Sequence, residues 1–315
     1  MKQSDIIVII RSVNERTESL CKKLLIHQVK EANIFVVNET PFAASLHKSF
    51  EIGLNQNKLW TLCIDADVLI NEEVIQNFIT TAVSLDKGVF EVQGLIFDKF
   101  FSVWKPAGIH LYRTSLLDKA ISFIPDEGTS LRPESYVLNK MAEAGYPWVQ
   151  TDIKVGVHDF EQYYVDIFRK CFLHAHKHSY LIPLLEPLWK EKSVLDKDFE
   201  VALMGLRSGK IYGEKVFVDK NFLNEEALEI FHIKGIQEKK NLPNSTSFNF
   251  QRIIDNNYMD ICQEKIFPKN SWNSIAYNNK TVKKFNPVHS ILFRIGHFME
   301  INGRRIKEFI PISHH

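Results

Sequence analysis

Short apolar runs alternate with amphipathic stretches through the first half of the chain. Runs of β-branched and apolar residues predict strands, and apolar residues at helical spacing predict helices. The predicted strands cover residues 6–10, 34–37, 60–64 and 89–97, and the predicted helices cover 18–29, 43–54 and 72–84. Strands that alternate with helices through short connections favour parallel pairing, so we expect an α/β sheet flanked by helices.

The pattern changes after residue 97. We predict a strand over 108–112, a helix over 115–122, a polar loop over 124–132, a helix over 134–144 closed by Gly145, and a strand over 148–158. The pattern is helical from about residue 161 to 207, and beyond residue 242 no element is readable. We therefore expect a catalytic domain over residues 1–162 and a mainly helical C-terminal region over 163–315.

The run that predicts the third strand ends in two carboxylates, Asp65 and Asp67. The carboxyl ends of parallel strands are where ligands bind in open α/β sheets, and clustered carboxylates suit a hard cation such as Mg²⁺ or Mn²⁺. The alternative is that both aspartates only shape a loop between strand and helix, because Asn71, Glu72 and Glu73 look like a helix start.

Two other loops bring polar side chains to the same predicted edge. Residues 11–16 follow the first strand with Arg11, Asn14 and Glu15, and Glu39 follows the second strand. Such donors and acceptors suit a nucleotide's base, ribose or phosphate, and the alternative is a solvated turn.

Composition narrows the class of protein. The 315 residues carry 39 Lys+Arg against 38 Asp+Glu, so no bulk basic charge indicates nucleic-acid binding. No stretch is long and apolar enough to cross a bilayer, and residues 1–11 do not resemble a signal sequence. Four scattered cysteines in apolar surroundings indicate buried free thiols of a reducing compartment, so we expect a cytoplasmic protein.

The order of these motifs resembles the nucleotide-binding half of a GT-A fold glycosyltransferase, similar to the large family 2. The resemblance rests on the Ser-x-Asn-Glu-Arg loop at 12–16, Pro41-Phe42 before a helix, and Asp65-Ala66-Asp67 after the third strand. It implies that Asp67 ligates Mn²⁺ or Mg²⁺ and that Asp65 contacts the ribose or the metal. It also implies that Arg11, Asn14, Glu15 and Glu39 contact a nucleoside diphosphate sugar.

The second half of the family pattern falls at Arg132-Pro133-Glu134-Ser135, a helix that ends at Gly145, and a strand that delivers His158. The resemblance implies a metal-ligating His158. Ser135 stands where the family carries the aspartate that acts as base. The base is therefore open, with Glu134 first and Asp126 and Glu127 as competitors.

The resemblance implies metal-dependent transfer of a sugar to a saccharide or glycoconjugate hydroxyl, with inversion, as in surface polysaccharide synthesis. A sugar nucleotidyltransferase is the enzymatic alternative, but residues 11–16 lack the glycines of its phosphate loop. A non-catalytic nucleotide-sugar or carbohydrate-binding protein is the other alternative, because Ser135 removes the family base.

Two features remain outside this pattern. His174 and His178 share a helix face, and this spacing is compatible with a pair of zinc ligands, although the sequence offers no third ligand. The other interpretation is a polar helix face near the acceptor. Residues 288–312 form a basic amphipathic segment. The C-terminal region could cover the acceptor, mediate oligomerisation or touch the inner face of a membrane. For residues 288–312 the simplest role is docking onto the catalytic domain.

Overall fold

A computed structural model describes residues 5–218, 223–243 and 245–268, which form an eight-stranded sheet with helices on both faces. The strands are β1 (Ile6–Arg11), β2 (Ile34–Val37), β3 (Trp60–Asp65), β4 (Val68–Ile70), β5 (Glu91–Asp98), β6 (Val103–Lys105), β7 (Ile109–Arg113) and β8 (Trp148–His158). The helices are α1 (Glu18–Ile26), α2 (Phe42–Gln56), α3 (Val74–Ser84), α4 (Leu117–Ile121), α5 (Pro133–Glu143), α6 (Tyr164–Lys177), α7 (Ile182–Lys192), α8 (Lys197–Ile211), α9 (Asn224–Lys234), α10 (Phe250–Asn257) and α11 (Asp260–Ile266).

The strand order is β2-β1-β3-β7-β5-β8-β4, and β6 pairs with β5 outside this path. Five strands, β1, β2, β3, β5 and β8, run in the same direction. The other three run against them, and β7 lies between β3 and β5. The carboxyl ends of the five codirectional strands therefore meet along one edge of the sheet.

The sheet is buried on both faces, and β1 shows this most plainly because its residues 6–10 are all apolar and fully buried. In β1, Ile6, Val8 and Ile10 pack with α1 and α3, while Ile7 and Ile9 pack with α2, α4 and α5. Continuous apolar strands of this kind are typical of α/β sheets covered by helices on both sides.

The region beyond β8 is helical and has its own apolar core. This core joins residues of α6, α7, α8 and α9 to Phe100, Phe101 and Val103 from the β5–β6 hairpin. Helices α6 and α8 pack closely, and Gly205 of α8 lies against the backbone of Phe168 of α6. The hairpin thus anchors α6 beside the carboxyl edge of the sheet.

The predicted α/β class with a mainly helical C-terminal extension is confirmed. Each predicted strand and helix up to residue 158 is present with small shifts of its ends. Gly145, with φ +89°, follows α5 as predicted, and the backbone N–H of Tyr146 donates to the carbonyl of Met141. The difference is the two short strands β4 and β6, which the pattern did not predict; the direction of β7, for which the pattern made no prediction, is antiparallel.

The described residues all lie within one compact unit over residues 1–276, and residues 277–315 lie outside the described residues. The predicted boundary at residue 162 stays a prediction, and the amphipathic segment 288–312 also lies outside the described residues.

All four cysteines are free and buried, as predicted. Among the described helices, none combines the length and apolar character needed to cross a bilayer.

Candidate functional site

A cleft of about 430 Å³ opens at the carboxyl edge of the sheet. Its floor is formed where parallel strands end, because Arg11 pairs in register with Asp65, and Asp98 pairs with His158. Helix α6 and the segment that leads into α5 supply further lining residues. The topology thus gathers charged side chains from distant parts of the chain into one cavity.

Three side chains in this cleft form a potential cation site. Each of Asp67, His158 and Asp159 is buried and offers one ligand atom, and these atoms all lie within 4.8 Å of one another. Asp67 follows β3 and His158 ends β8, while the short strand β4 pairs with β8 and holds the two ends together. The backbone N–H of Asp159 also donates to the carbonyl of Asp67 at 3.3 Å.

His158 is oriented by a second carboxylate. Its Nδ1 donates to Asp98 Oδ2 at 3.0 Å, which leaves Nε2 3.4 Å from Asp67 Oδ1. Metal-ligating histidines usually donate their other ring N–H to a carboxylate or carbonyl in this manner. Burial opposes the charged imidazole, but Asp159 and Asp67 raise the pKa of His158 to about 10. Coordination of a cation would therefore release the Nε2 proton.

The ammonium of Lys170, from α6, lies within this carboxylate group. Its Nζ is 2.5 Å from Asp67 Oδ2 and also contacts Asp159 Oδ1. Burial would raise the pKa of Asp67, but Lys170 and His158 hold it well below its usual range. Burial raises the pKa of Asp159 to about 6 despite the same two cations. Lys170 is thus the counter-ion of both carboxylates.

The residues fit a divalent cation on two further observations. Asp67 Oδ1 and Asp159 Oδ2 are buried and accept no well-formed hydrogen bond from the described residues; their near neighbour is the His158 ring, with Nε2 3.4 Å from Asp67 Oδ1 and Nδ1 3.1 Å from Asp159 Oδ2. Two carboxylate oxygens and one imidazole nitrogen suit Mn²⁺, and the oxygens suit Mg²⁺. Lys170 would have to leave the carboxylates to admit the ion, and its side chain is 28% exposed on a flexible stem.

Asp65 lies beside this group but is held by a different partner. Arg11, which is 4% exposed, donates from Nε to Asp65 Oδ1 at 2.9 Å and from Nη1 to Glu134 Oε1 at 2.7 Å. The two predicted aspartates therefore differ in surroundings. Asp65 belongs to an arginine-bridged pair of carboxylates, while Asp67 belongs to the potential cation site.

Glu134 lies in the first turn of α5 and accepts from three side chains. Besides Arg11, Tyr112 donates its hydroxyl to Oε1 and His110 Nε2 lies 2.8 Å from Oε2. Burial would raise the pKa of Glu134, but Arg11 and His110 hold it well below its usual range. Glu134 is consequently an ionised carboxylate at neutral pH and, in this arrangement, a weak proton acceptor.

His110 links Glu134 to a fully buried carboxylate. Its Nδ1 contacts Glu91, which is 0% exposed, and its Nε2 contacts Glu134. Burial opposes the imidazolium, but Glu134 and Glu91 raise the pKa of His110 to about 10. The charged ring therefore neutralises part of the charge of two carboxylates, Glu134 in the cleft lining and Glu91 buried behind it.

The first loop contributes Glu15 to the cleft. Its carboxylate accepts from Ser12 Oγ at 2.8 Å and from the backbone N–H of Val13 at 2.7 Å. Burial and the charge of Asp67 raise the pKa of Glu15 to about 7. A phosphate-binding loop would present basic groups here, so a buried acidic side chain favours contacts to hydroxyls instead.

Most of the predicted site residues come together. Those that line the cleft are Arg11, Glu15, Glu39, Asp65, Asp67, Glu134 and His158. Three lie outside the lining: Asn14 is exposed and is contacted by Asn38, and Asp126 and Glu127 are exposed in the loop before α5.

The sequence interpretation missed the residues that surround His158. Asp98 follows the predicted strand 89–97 directly, so the rule that selected Asp65 and Asp67 could have found it. Asp159 directly follows His158 in the sequence, and this position could have identified it as a candidate ligand. Lys170 carried no signal, because only the packing of α6 brings it to Asp67.

Neither a protein-family model nor a curated protein matches the sequence. Solved structures do match at low similarity. A mannosyltransferase from Pyrobaculum calidifontis, in complex with GDP-Man and Mn²⁺, is 13% identical, with 74% of this chain and 81% of that chain covered and a TM-score of 0.36. A glycosyltransferase involved in glycosylation of the major capsid of PBCV-1 is 16% identical, with 49% and 82% covered and a TM-score of 0.33.

A cytidylyltransferase from Leptospira borgpetersenii is 11% identical, with 78% of this chain and 98% of that chain covered and a TM-score of 0.32. TM-scores this low carry no argument about activity or substrate. The fold assignment rests on the sheet itself, whose five codirectional strands, inserted antiparallel strand and flanking helices are consistent with the GT-A fold.

Proposed function

We propose that this protein is a glycosyltransferase that moves a sugar from a nucleoside diphosphate sugar to a hydroxyl acceptor with the help of Mn²⁺ or Mg²⁺. The observation that carries the proposal is the buried group of Asp67, His158 and Asp159, with His158 oriented by Asp98, at the carboxyl edge of the sheet. A surface polysaccharide or glycoconjugate is the proposed acceptor, and inversion is the proposed outcome.

Each part of the cleft has a role in this proposal. The cation would be held by Asp67, His158 and Asp159. Lys170 would leave the carboxylates of Asp67 and Asp159 and pair with the donor diphosphate instead. A divalent cation bound there would offset the negative charge that develops on the leaving diphosphate. Asp65 and Glu39 are the proposed acceptors for the donor's hydroxyl groups.

Glu134 is the proposed base, because neither Asp126 nor Glu127 lines the cleft. Its oxygens are occupied by Arg11, Tyr112 and His110, which lowers its basicity. We therefore propose that the acceptor hydroxyl replaces one of these donors when it binds. Release of a donor would raise the pKa of Glu134 and make proton transfer easier.

Donor binding is tested by thermal unfolding with a panel of nucleoside diphosphate sugars, in Mn²⁺ and in excess chelator. A true donor at 100 times its Kd stabilises the fold by about 2.7 kcal/mol. We expect this protection to need Mn²⁺ and to vanish in Asp67→Asn. Asp152→Asn, an exposed position of β8, is the matched control and should keep it. Protection that is equal in chelator would contradict the metal role.

A second candidate function is a nucleotide-sugar-binding protein without catalysis. The observation in its favour is that Glu134 is held by three donors, and the resemblance adds that Ser135 stands where the resembled family carries its base. The two candidates differ in one measurement. A transferase hydrolyses its donor slowly without acceptor, whereas a binding protein shows tight donor binding and no release of nucleoside diphosphate.

A further inference from the structure

One end of the cleft is lined by basic side chains from three parts of the chain. They are Lys105 of β6, Arg132 before α5, and His174, Lys177 and His178 of α6 or its end. Lys105 is paired with Asp98 at 3.1 Å and lies over the ring of Phe101.

Arg132 and Lys177 form the charged centre of this end. Arg132 Nη2 donates to the backbone carbonyl of Lys177 at 2.8 Å and lies 3.3 Å from His178 Nδ1. Across residues 5–218, 223–243 and 245–268, neither cation has a carboxylate partner. Burial, Arg132 and Lys170 lower the pKa of Lys177 to about 8. The positive charges around Lys177 repel its ammonium, and a bound anion would offset that repulsion.

His174 supplies an independent observation. Its ring is 8% exposed and lines the cleft, yet neither nitrogen has a hydrogen-bond partner among the described residues. The ring packs edge-on against Phe101 and His178, with centroid distances of 4.9 Å and 5.2 Å. These contacts fix the ring but give neither nitrogen a hydrogen bond. Buried polar groups are usually hydrogen-bonded, so an unsatisfied imidazole N–H at a cleft wall indicates a ligand oxygen.

The position of these residues separates them from the cation site. Lys170, His174 and Lys177 share one face of α6, and Lys177 lies roughly 10 Å beyond Lys170 at 1.5 Å per residue. A diphosphate bound at the cation site would meet Lys170 first. Arg132 directly precedes Pro133 and Glu134, so the basic end lies on the side of the proposed base.

We propose that Arg132, His174 and Lys177 form an anion subsite that binds a phosphate group of the acceptor. A phosphate has several acceptor oxygens. Three donors can bind them: the planar guanidinium of Arg132, the ammonium of Lys177 and the N–H of His174. The inference rests on the proposed function in one respect, since it takes the ligand beside Glu134 to be the acceptor.

The subsite is tested with inorganic phosphate and glycerol 3-phosphate as probes, in chelator and fixed salt, by thermal unfolding of the full chain. We expect both probes to protect the wild type and to bind at least tenfold more weakly to Lys177→Gln and Arg132→Gln. Lys190→Gln removes the same charge from an exposed position of α7 and should bind as the wild type does. No protection of the wild type, or equal binding by all variants, would overturn the subsite.

A second arm separates the acceptor from the donor as the source of the phosphate. Nucleoside diphosphates with Mn²⁺ should protect Lys177→Gln and Arg132→Gln as well as they protect the wild type. Parallel loss of nucleoside diphosphate binding would overturn the subsite, because the residues would then serve the donor. If the wild type binds phosphate through these residues but no nucleoside diphosphate, the subsite stands and the proposed function fails.

Discussion

Lys170 Nζ lies 2.5 Å from Asp67 Oδ2, between two carboxylates of the potential cation site. Lys170 comes from α6, 103 residues along the chain, and also contacts Asp159. One ammonium thus neutralises part of the charge of the proposed ligand set before any ion arrives. This internal counter-ion and a metal compete for the same two carboxylates.

The competition predicts that removal of the ammonium strengthens metal binding. Lys170→Met should raise the affinity for Mn²⁺ without donor at least tenfold, which corresponds to about 1.4 kcal/mol. Titration of free Mn²⁺ by electron paramagnetic resonance measures this directly. Lys48→Met, at an exposed lysine paired with Glu51, is the control. Weaker Mn²⁺ binding in Lys170→Met would show that Lys170 supports the ion rather than competes with it.

The pairing of His110 with two buried carboxylates predicts a large effect on stability. His110→Ala leaves Glu91 and Glu134 facing each other without the charged ring between them. Loss of one partner of a buried ion pair typically costs about 3–5 kcal/mol. We expect a loss of that size in the free energy of unfolding, measured by urea denaturation.

The matched control for this variant is His47→Ala, because His47 is half-exposed on α2 and its partner Glu51 lies one turn away. Exposed substitutions of this kind usually change stability by no more than about 0.5 kcal/mol. A His110→Ala variant as stable as the control would mean that Glu91 or Glu134 binds a proton in its place.

The sequence predicted the part of the site that depends on strand ends. Arg11, Asp65, Asp67 and His158 each follow or end an apolar run, and codirectional strands bring such residues to one edge whatever the details of packing. Asp98 obeys the same rule and was within reach of it. Local pattern and one topological rule therefore account for the floor of the cleft.

The remaining features depend on contacts that no local pattern encodes. Strands β4 and β6 have three residues each, too few for a period of two to be recognised. Strand β7 runs antiparallel to both of its neighbours, β3 and β5, which lie well before it in the chain, and no local pattern sets that direction. Lys170 and Lys177 reach the cleft only because α6 packs on α8.

Glu15 predicts a dependence of stability on pH. Its carboxyl pKa is raised to about 7 from the ordinary 4.5, first by burial and then by Asp67. The folded state therefore holds a proton that the unfolded state loses, and stability from this group is present below pH 4.5 and is lost as pH rises through 7. Glu15→Gln keeps an acceptor oxygen for Ser12 and Val13 but cannot ionise.

We expect Glu15→Gln to be more stable than the wild type by about 1–3 kcal/mol at pH 8 and to match it near pH 4.5. Urea denaturation in chelator at both pH values measures the difference. Glu72→Gln, at an exposed carboxylate before α3, should show no such change between the two pH values. A constant difference for Glu15→Gln across this range would contradict the raised pKa.

The contact between α6 and α8 predicts that the site is sensitive to a single methyl group at a residue that does not line the cleft. A Cβ on Gly205 would lie 2.1 Å from the carbonyl oxygen of Phe168, so α8 would have to move away from α6. Overpacking of this kind typically costs about 1–3 kcal/mol. Gly205→Ala should lower the unfolding temperature and, because α6 carries Lys170 and Lys177, weaken the response to phosphate.

Gly213→Ala is the matched control, since a Cβ there meets no atom within 4 Å. A Gly→Ala change at an open position reduces the freedom of the unfolded chain, so this variant should be as stable as the wild type or slightly more so. Unfolding temperatures of the two variants, measured side by side with and without phosphate, separate the effect of helix packing from the effect of the substitution itself. A Gly205→Ala variant that matches Gly213→Ala in both measurements would show that α6 does not depend on this contact for its position in the cleft.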